Sequence, residues 1–219
     1  MTRQESRPFA SVARGLAVLC CLLPPGAGAQ QVVVQNDSVT DFGQAVVQTG
    51  FVAGESAAAW LTSPCAGQIV TVQVAWLSAT GTASDVLGDS ITIFEAGTFP
   101  VPGSELASII GPVMVDGYFN EFTLTTPVPV VLDEVFVVAF KFDQSPIPGY
   151  GPSVVTDTDG CQAGKNGIFA IPPSIWYNAC TLGVTGDFAI RAVVDCVDPL
   201  IFADGFESGN TTAWSGTVG

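Results

Sequence analysis

Residues 69–76 read IVTVQVAW. Val70, Val72, Val74 and Trp76 fall on one face of an extended chain, with Thr71 and Gln73 on the other. That period of two is the signature of a strand with one buried face. Working outward, Ile91 and Ile93 flank Thr92, and Phe122 and Leu124 alternate with Thr123 and Thr125. Near the far end, Phe188, Ile190, Ala192 and Val194 oppose Arg191 and Asp195. Residues 135–142 (VFVVAFKF) are nearly all apolar, as expected of a central strand covered on both faces. Turn-forming residues punctuate these runs at 85–89 (DVLGD), 97–103 (GTFPVPG), Gly111-Pro112 and Asp116-Gly117. Pro127 and Pro129 flank a short segment suited to a sheet edge. No amphipathic helix is evident between the runs. The predicted fold is all-β: a single antiparallel β-sandwich, jelly-roll-like, rather than a parallel α/β sheet.

The amino terminus reads as an export signal. Arg3, Arg7 and Arg14 precede a short apolar run at 15–23 (GLAVLCCLL), which Pro24, Pro25 and Gly26 interrupt. Ala27 and Ala29 supply the small residues that signal peptidase reads, so cleavage is expected after Ala29. The run is too short to span a bilayer, which takes about 20 apolar residues. Cys20 and Cys21 lack the small preceding residue that lipidation wants, because Leu19 stands before them. The expected organisation is a signal peptide at 1–29, a lead-in with room for an edge strand at 30–54, the β-sandwich at 55–197 and a tail at 198–219.

Charge narrows the function classes. Three of the six basic residues and one of the twenty acidic ones precede residue 30, leaving a net charge of −16 on the remainder. A nucleic-acid surface needs clustered Lys and Arg against phosphates, so nucleic acid is excluded as a partner. Anionic membrane surfaces are disfavoured for the same reason, and no membrane insertion is expected once the signal is removed. Hydrophobic residues make up 48% and charged ones 12%, which suits a packed domain and not a disordered chain.

Four cysteines follow the signal: Cys65, Cys161, Cys180 and Cys196. An even number in an exported chain implies two disulfides. Of the three pairings, Cys161–Cys180 with Cys65–Cys196 is preferred, because the first two bracket one loop-rich stretch and the other two each end a predicted strand. A cysteine–histidine metal site is ruled out by spacing and by the absence of His.

The same absence removes Ser-His-Asp and Cys-His catalysis. Asp133-Glu134 is the obvious carboxylate pair for glycoside hydrolysis, but it falls where a hairpin turn is expected. Lys141 lies in a strand and is expected to point to solvent. The Pro- and Gly-rich stretch 144–177 reads as one long ordered excursion. Within it, Asp157-Thr158-Asp159-Gly160 resembles the opening of a calcium loop. Cys161 and Ile168 break the EF-hand pattern, which leaves a looser site on Asp157 and Asp159 with backbone carbonyls, the only cofactor expectation being calcium. Trp60, Trp176 and Tyr177 are the candidate sugar-stacking residues, since aromatic faces pack on apolar faces of pyranose rings. Trp76, set among valines, belongs to the core.

Two strings carry resemblances. The order ITIFEAGTFPVPGSEL (91–106), NEFTLTTPVPVVLDEVFVVAFKF (120–142) and GDFAIRAVV (186–194) resembles non-catalytic β-sandwich accessory modules of secreted bacterial proteins. The shared pattern is an apolar strand, a Gly/Pro loop, a Leu–polar–Pro–apolar step and a Phe-Val-Val core strand, across residues 55–195. FADGFESGNTTAWS (202–215) is similar to an F-x-D-G-F-E-S-G-x-x-x-x-W-S motif near the carboxyl end of exported Gram-negative proteins. These resemblances imply an exported binding or surface-interaction module, with a polysaccharide or cell-surface component as its partner. The alternatives are a structural envelope or matrix protein and, ranked lowest, a carboxylate hydrolase.

Overall fold

The computed structural model describes residues 30–77, 85–143 and 152–197. The segment 1–29, with its signal features, and the tail 198–219, with its motif and Trp214, lie outside them. Every strand pair is antiparallel. One sheet runs in the order β1 (Gln30–Val34), β13 (Ile190–Cys196), β4 (Gly67–Trp76), β8 (Tyr118–Val130). The larger runs β12 (Ile175–Asn178), β11 (Asn166–Ala170), β3 (Ser56–Thr62), β9 (Val135–Phe142), β5 (Asp85–Glu95), β6 (Glu105–Ile110), with β7 (Val113–Val115) also paired to β5. A ribbon of β2 (Val46–Thr49) and β10 (Ser153–Thr156) abuts the first sheet, where Ala189 N–H donates to Val155 O and Ala75 N–H to Ala189 O. The chain is therefore an all-β antiparallel sandwich, as its periodicity predicts.

Its core lies between the two sheets. Val72, Val74, Trp76, Ile190, Ala192 and Val194 meet Ala57, Ala59, Leu61, Phe136, Val138 and Phe140 there. Burying each large apolar side chain contributes about 1.5–3 kcal/mol before entropy is charged. β9 is covered on both sides. Its even residues enter that core, while Val137 and Ala139 pack with Ala58 and Trp60 on the outer face. An almost unbroken apolar run is what such a strand requires.

Two expectations change. Val70 does not share the face of Val72, Val74 and Trp76. The pairing of β13 with β4 jumps from Val193↔Thr71 to Val194↔Ile69, so Val70 is the extra residue of a bulge and Ile69 takes the inward position. The room for an edge strand in residues 30–54 is taken by β1, an edge strand of the smaller sheet, and β2 pairs with β10. The stretch 144–177 is not a single long loop. β10, β11 and β12 fall inside it, each four or five residues long, and β11 adds to β3 in the large sheet. Residues 144–151 lie outside the described part.

Both disulfides are as preferred from the sequence: Cys65–Cys196 and Cys161–Cys180. They fit an oxidising compartment outside the cytoplasm. Among the described residues, no helix is long and apolar enough to cross a membrane.

Candidate functional site

The site is built where the end of β10, the approach to β13 and the turn 157–162 converge. Asp157 follows β10, and its backbone N–H donates to Asp187 O at 3.2 Å. In return Asp187 N–H donates to Asp157 Oδ1 at 2.8 Å, and Ser38 N–H donates to Asp157 Oδ2 at 2.9 Å. Gly186 makes this closeness feasible, since a Cβ there would stand 2.0 Å from Asp157 O. Asp187 Oδ1 accepts from Gln162 N–H at 2.8 Å, and the side-chain amides of Gln162 and Asn166 donate to the same carboxylate. Asn166 Oδ1 in turn accepts from Phe188 N–H at 3.0 Å, which fixes that amide's orientation. The Cys161–Cys180 disulfide ties the turn to the 3-10 turn Ala179–Leu182.

Asp157, Asp159 and Asp187 each present a carboxylate oxygen, and the three oxygens lie within 4.8 Å of one another. Asp157 is 3% exposed and Asp187 fully buried, whereas Asp159 is exposed. Burial pushes the Asp157 carboxyl above its ordinary value. The N–H groups of Asp187 and Ser38 pull it down, and the charges of Asp159 and Asp187 push it up again. The ion pairs among the described residues are Lys141–Asp89 and Arg191–Asp37, so neither buried carboxylate here has a cationic partner. A set of hard oxygen donors of this kind suits calcium, with Asp159 as the entry side. Sequence alone points to Asp157 and Asp159. It misses Asp187, which is remote in the chain and arrives only because β13 pairs beside β10's end; nothing local to Gly186-Asp187 distinguishes it from a turn.

The aromatic candidates do not form one platform. Trp60 is 3% exposed and donates its Nε1–H to Ala96 O at 2.9 Å, so it offers no open face. Trp176 lies edge-on to Trp60, centroids 6.2 Å apart at 89°, and beside Phe169 at 5.5 Å. Phe99 closes on Trp60 from another side at 5.0 Å. Tyr177 follows Trp176 on β12 and pairs with Ile168, so its side chain takes the opposite face of the sheet. Trp176 is thus half-buried with its Phe neighbours and carried on Trp60, Tyr177 is half-buried on the other face, and the exposed Tyr118 stands apart on β8. Trp76 is in the core, 1% exposed.

Asp133 and Glu134 make the β8–β9 turn. Asp133 holds φ 64° and Glu134 Oε2 accepts from Val131 N–H at 2.7 Å, so the second carboxylate is spent on its own turn. Lys141 reaches Asp89 at 2.9 Å, both half-exposed.

The fold and site thus define an all-β, disulfide-linked sandwich with a buried carboxylate group at its rim. A scan against protein-family models finds no match for this chain, and a search of the curated proteins finds none either.

Proposed function

We propose that this chain is an exported, non-catalytic surface-interaction module that binds polysaccharide weakly through the Trp176 edge of its large sheet. The observation that carries the reading is the layered aromatic group. Trp60 is locked by a hydrogen bond and packing, and holds Trp176 partly exposed on a strand. Aromatic groups pre-set in this way bind with little ordering cost. Export to the extracellular space or cell surface, with the periplasm as the alternative, is supported by the signal-like residues 1–29, the tail motif and the disulfides.

Calcium at Asp157, Asp159 and Asp187 completes the proposal. A divalent cation there offsets two buried charges and clamps the turn that leads into β11 and hence β12. The runner-up, a structural envelope or matrix component, draws on an uncovered strand edge. A carboxylate hydrolase draws least support, because Asp157 and Asp187 converge beneath the surface with both carboxylates committed to hydrogen bonds.

The test is retention of the exported protein on insoluble polysaccharides, with calcium and with chelator. The expected outcome is retention that Trp176→Ala abolishes and Tyr177→Ala leaves largely intact. Retention unchanged in Trp176→Ala, or none on any polymer in either buffer, overturns the sugar-binding reading.

A further inference from the structure

Among the described residues β6 is a terminal strand of the large sheet and β8 a terminal strand of the small one, so both present backbone that no described strand pairs with along the same flank. Between them runs a groove of about 630 Å³, lined by residues 106–110 and 123–129. None of these lining residues is charged, in a chain whose net charge is −14. The two edges are not equivalent. β8 carries Pro127 and Pro129 and a register break between its pairings with Ile69 and Thr71, all of which hinder a further strand. β6 reads ELASII, with no Pro and no Lys to guard it. The far edge of the same sheet, β12, is only four residues long. Around β6 gather exposed apolar side chains: Ile110 at 78%, Leu106 at 40% and Val113 at 53%.

We propose that β6 pairs antiparallel with β6 of a second copy of this chain, joining two large sheets into one across a two-fold axis at Ser108. Hydrogen-bond parity selects this register. Gly111 N–H donates to Asp89 O, so residues 109 and 107 also direct their backbone groups to β5, and Ser108 and Ile110 direct theirs to the open side. Antiparallel partners must share that parity. Pairing Ser108 with its own copy places Leu106 opposite Ile110 and Ala107 opposite Ile109. Each apolar residue then meets an apolar one. Glu105, the one charge on the strand, lands opposite Gly111 of the copy. The two Glu105 side chains end about 20 Å apart along the strands, beyond the screening length of about 8 Å. For two strongly acidic molecules a neutral, self-complementary edge is the contact surface that avoids like-charge juxtaposition. This pairing is independent of sugar binding, because Trp176 lies at the opposite end of the sheet order.

Sedimentation of the exported protein over a range of concentrations tests it. The expected result is a monomer–dimer equilibrium that shifts toward dimer as salt is raised. Ser108→Pro removes an N–H that β5 does not use, so it is expected to give a folded monomer. Should that variant fail to fold, Ser108→Lys sets two like charges on the axis and is also expected to be monomeric. A wild type that stays monomeric at every concentration overturns the proposal, the edge then being covered by another segment or another partner. So does a dimer that survives in a folded Ser108→Pro or Ser108→Lys variant.

Discussion

Asp157 shows how a residue can be legible by type and not by circumstance. Its place in Asp-Thr-Asp-Gly marks it as a turn or metal candidate, but its burial and its neighbour Asp187 come from the fold alone. Burial sets its carboxyl above the ordinary 3.8. An acid raised in the folded state adds stability below its unfolded value and loses that contribution as pH climbs through the folded one. The contribution of Asp157 therefore grows as pH falls from neutral toward 3.8. In chelator, the thermal midpoint of Asp157→Asn should rise less on mild acidification than that of the wild type; parallel curves would assign the effect elsewhere. Added calcium at neutral pH should raise the wild-type midpoint and leave that of Asp157→Asn nearly unmoved. The aromatic candidates teach the same lesson. Trp60, Trp176 and Tyr177 stand out in the sequence as candidate stacking rings, yet Trp60 is buried. Which ring is covered depends on Phe99 above Trp60 and on the alternation of β12, neither of which a local window contains.

Among the elements, length governs what can be read. Residues 69–76 and 190–196 hold enough alternations for the period to stand out, residues 135–142 form an apolar run long enough to mark a covered strand, and each is a strand. β10, β11 and β12 have four or five residues between Pro and Gly breaks, so two alternations at most are available and the stretch reads as loop. The bulge at Val70 has no local signal at all, because it is a property of the pairing with Val193 and Val194. β11 and β3 illustrate a packing constraint that only the sheet reveals. A Cβ on Gly167 would lie 2.6 Å from the Trp60 ring, so the Trp needs the bare backbone beneath it. Gly167→Ala should cost about 1–3 kcal/mol in urea unfolding, the range for overpacking a filled site. It should also weaken polysaccharide retention by displacing the ring that carries Trp176. A variant as stable as the wild type would mean the outer face yields around the added methyl group.

For the molecule as a whole, composition and cysteine number fixed the class, and the two disulfides divide the work unequally. Cys65–Cys196 spans 131 residues and Cys161–Cys180 only 19. In the chain-entropy picture they restrain the unfolded state by about 5 and about 3 kcal/mol. Replacing Cys65 and Cys196 together with Ala should therefore lower the denaturant midpoint more than replacing Cys161 and Cys180. Calcium response should show the reverse order, since the shorter bridge borders the carboxylates.

The position of β13 has a consequence for when the domain can finish folding. It lies between β1, the first of the described strands, and β4, so the smaller sheet has a gap at its centre until β13, the last described strand, arrives. A chain emerging from the ribosome cannot complete that layer early, however long synthesis pauses. Nor can the Cys65 thiol find its partner before residue 196 has passed. The topology itself therefore holds back completion of the smaller sheet until the whole domain has been made, a delay that serves the export proposed above.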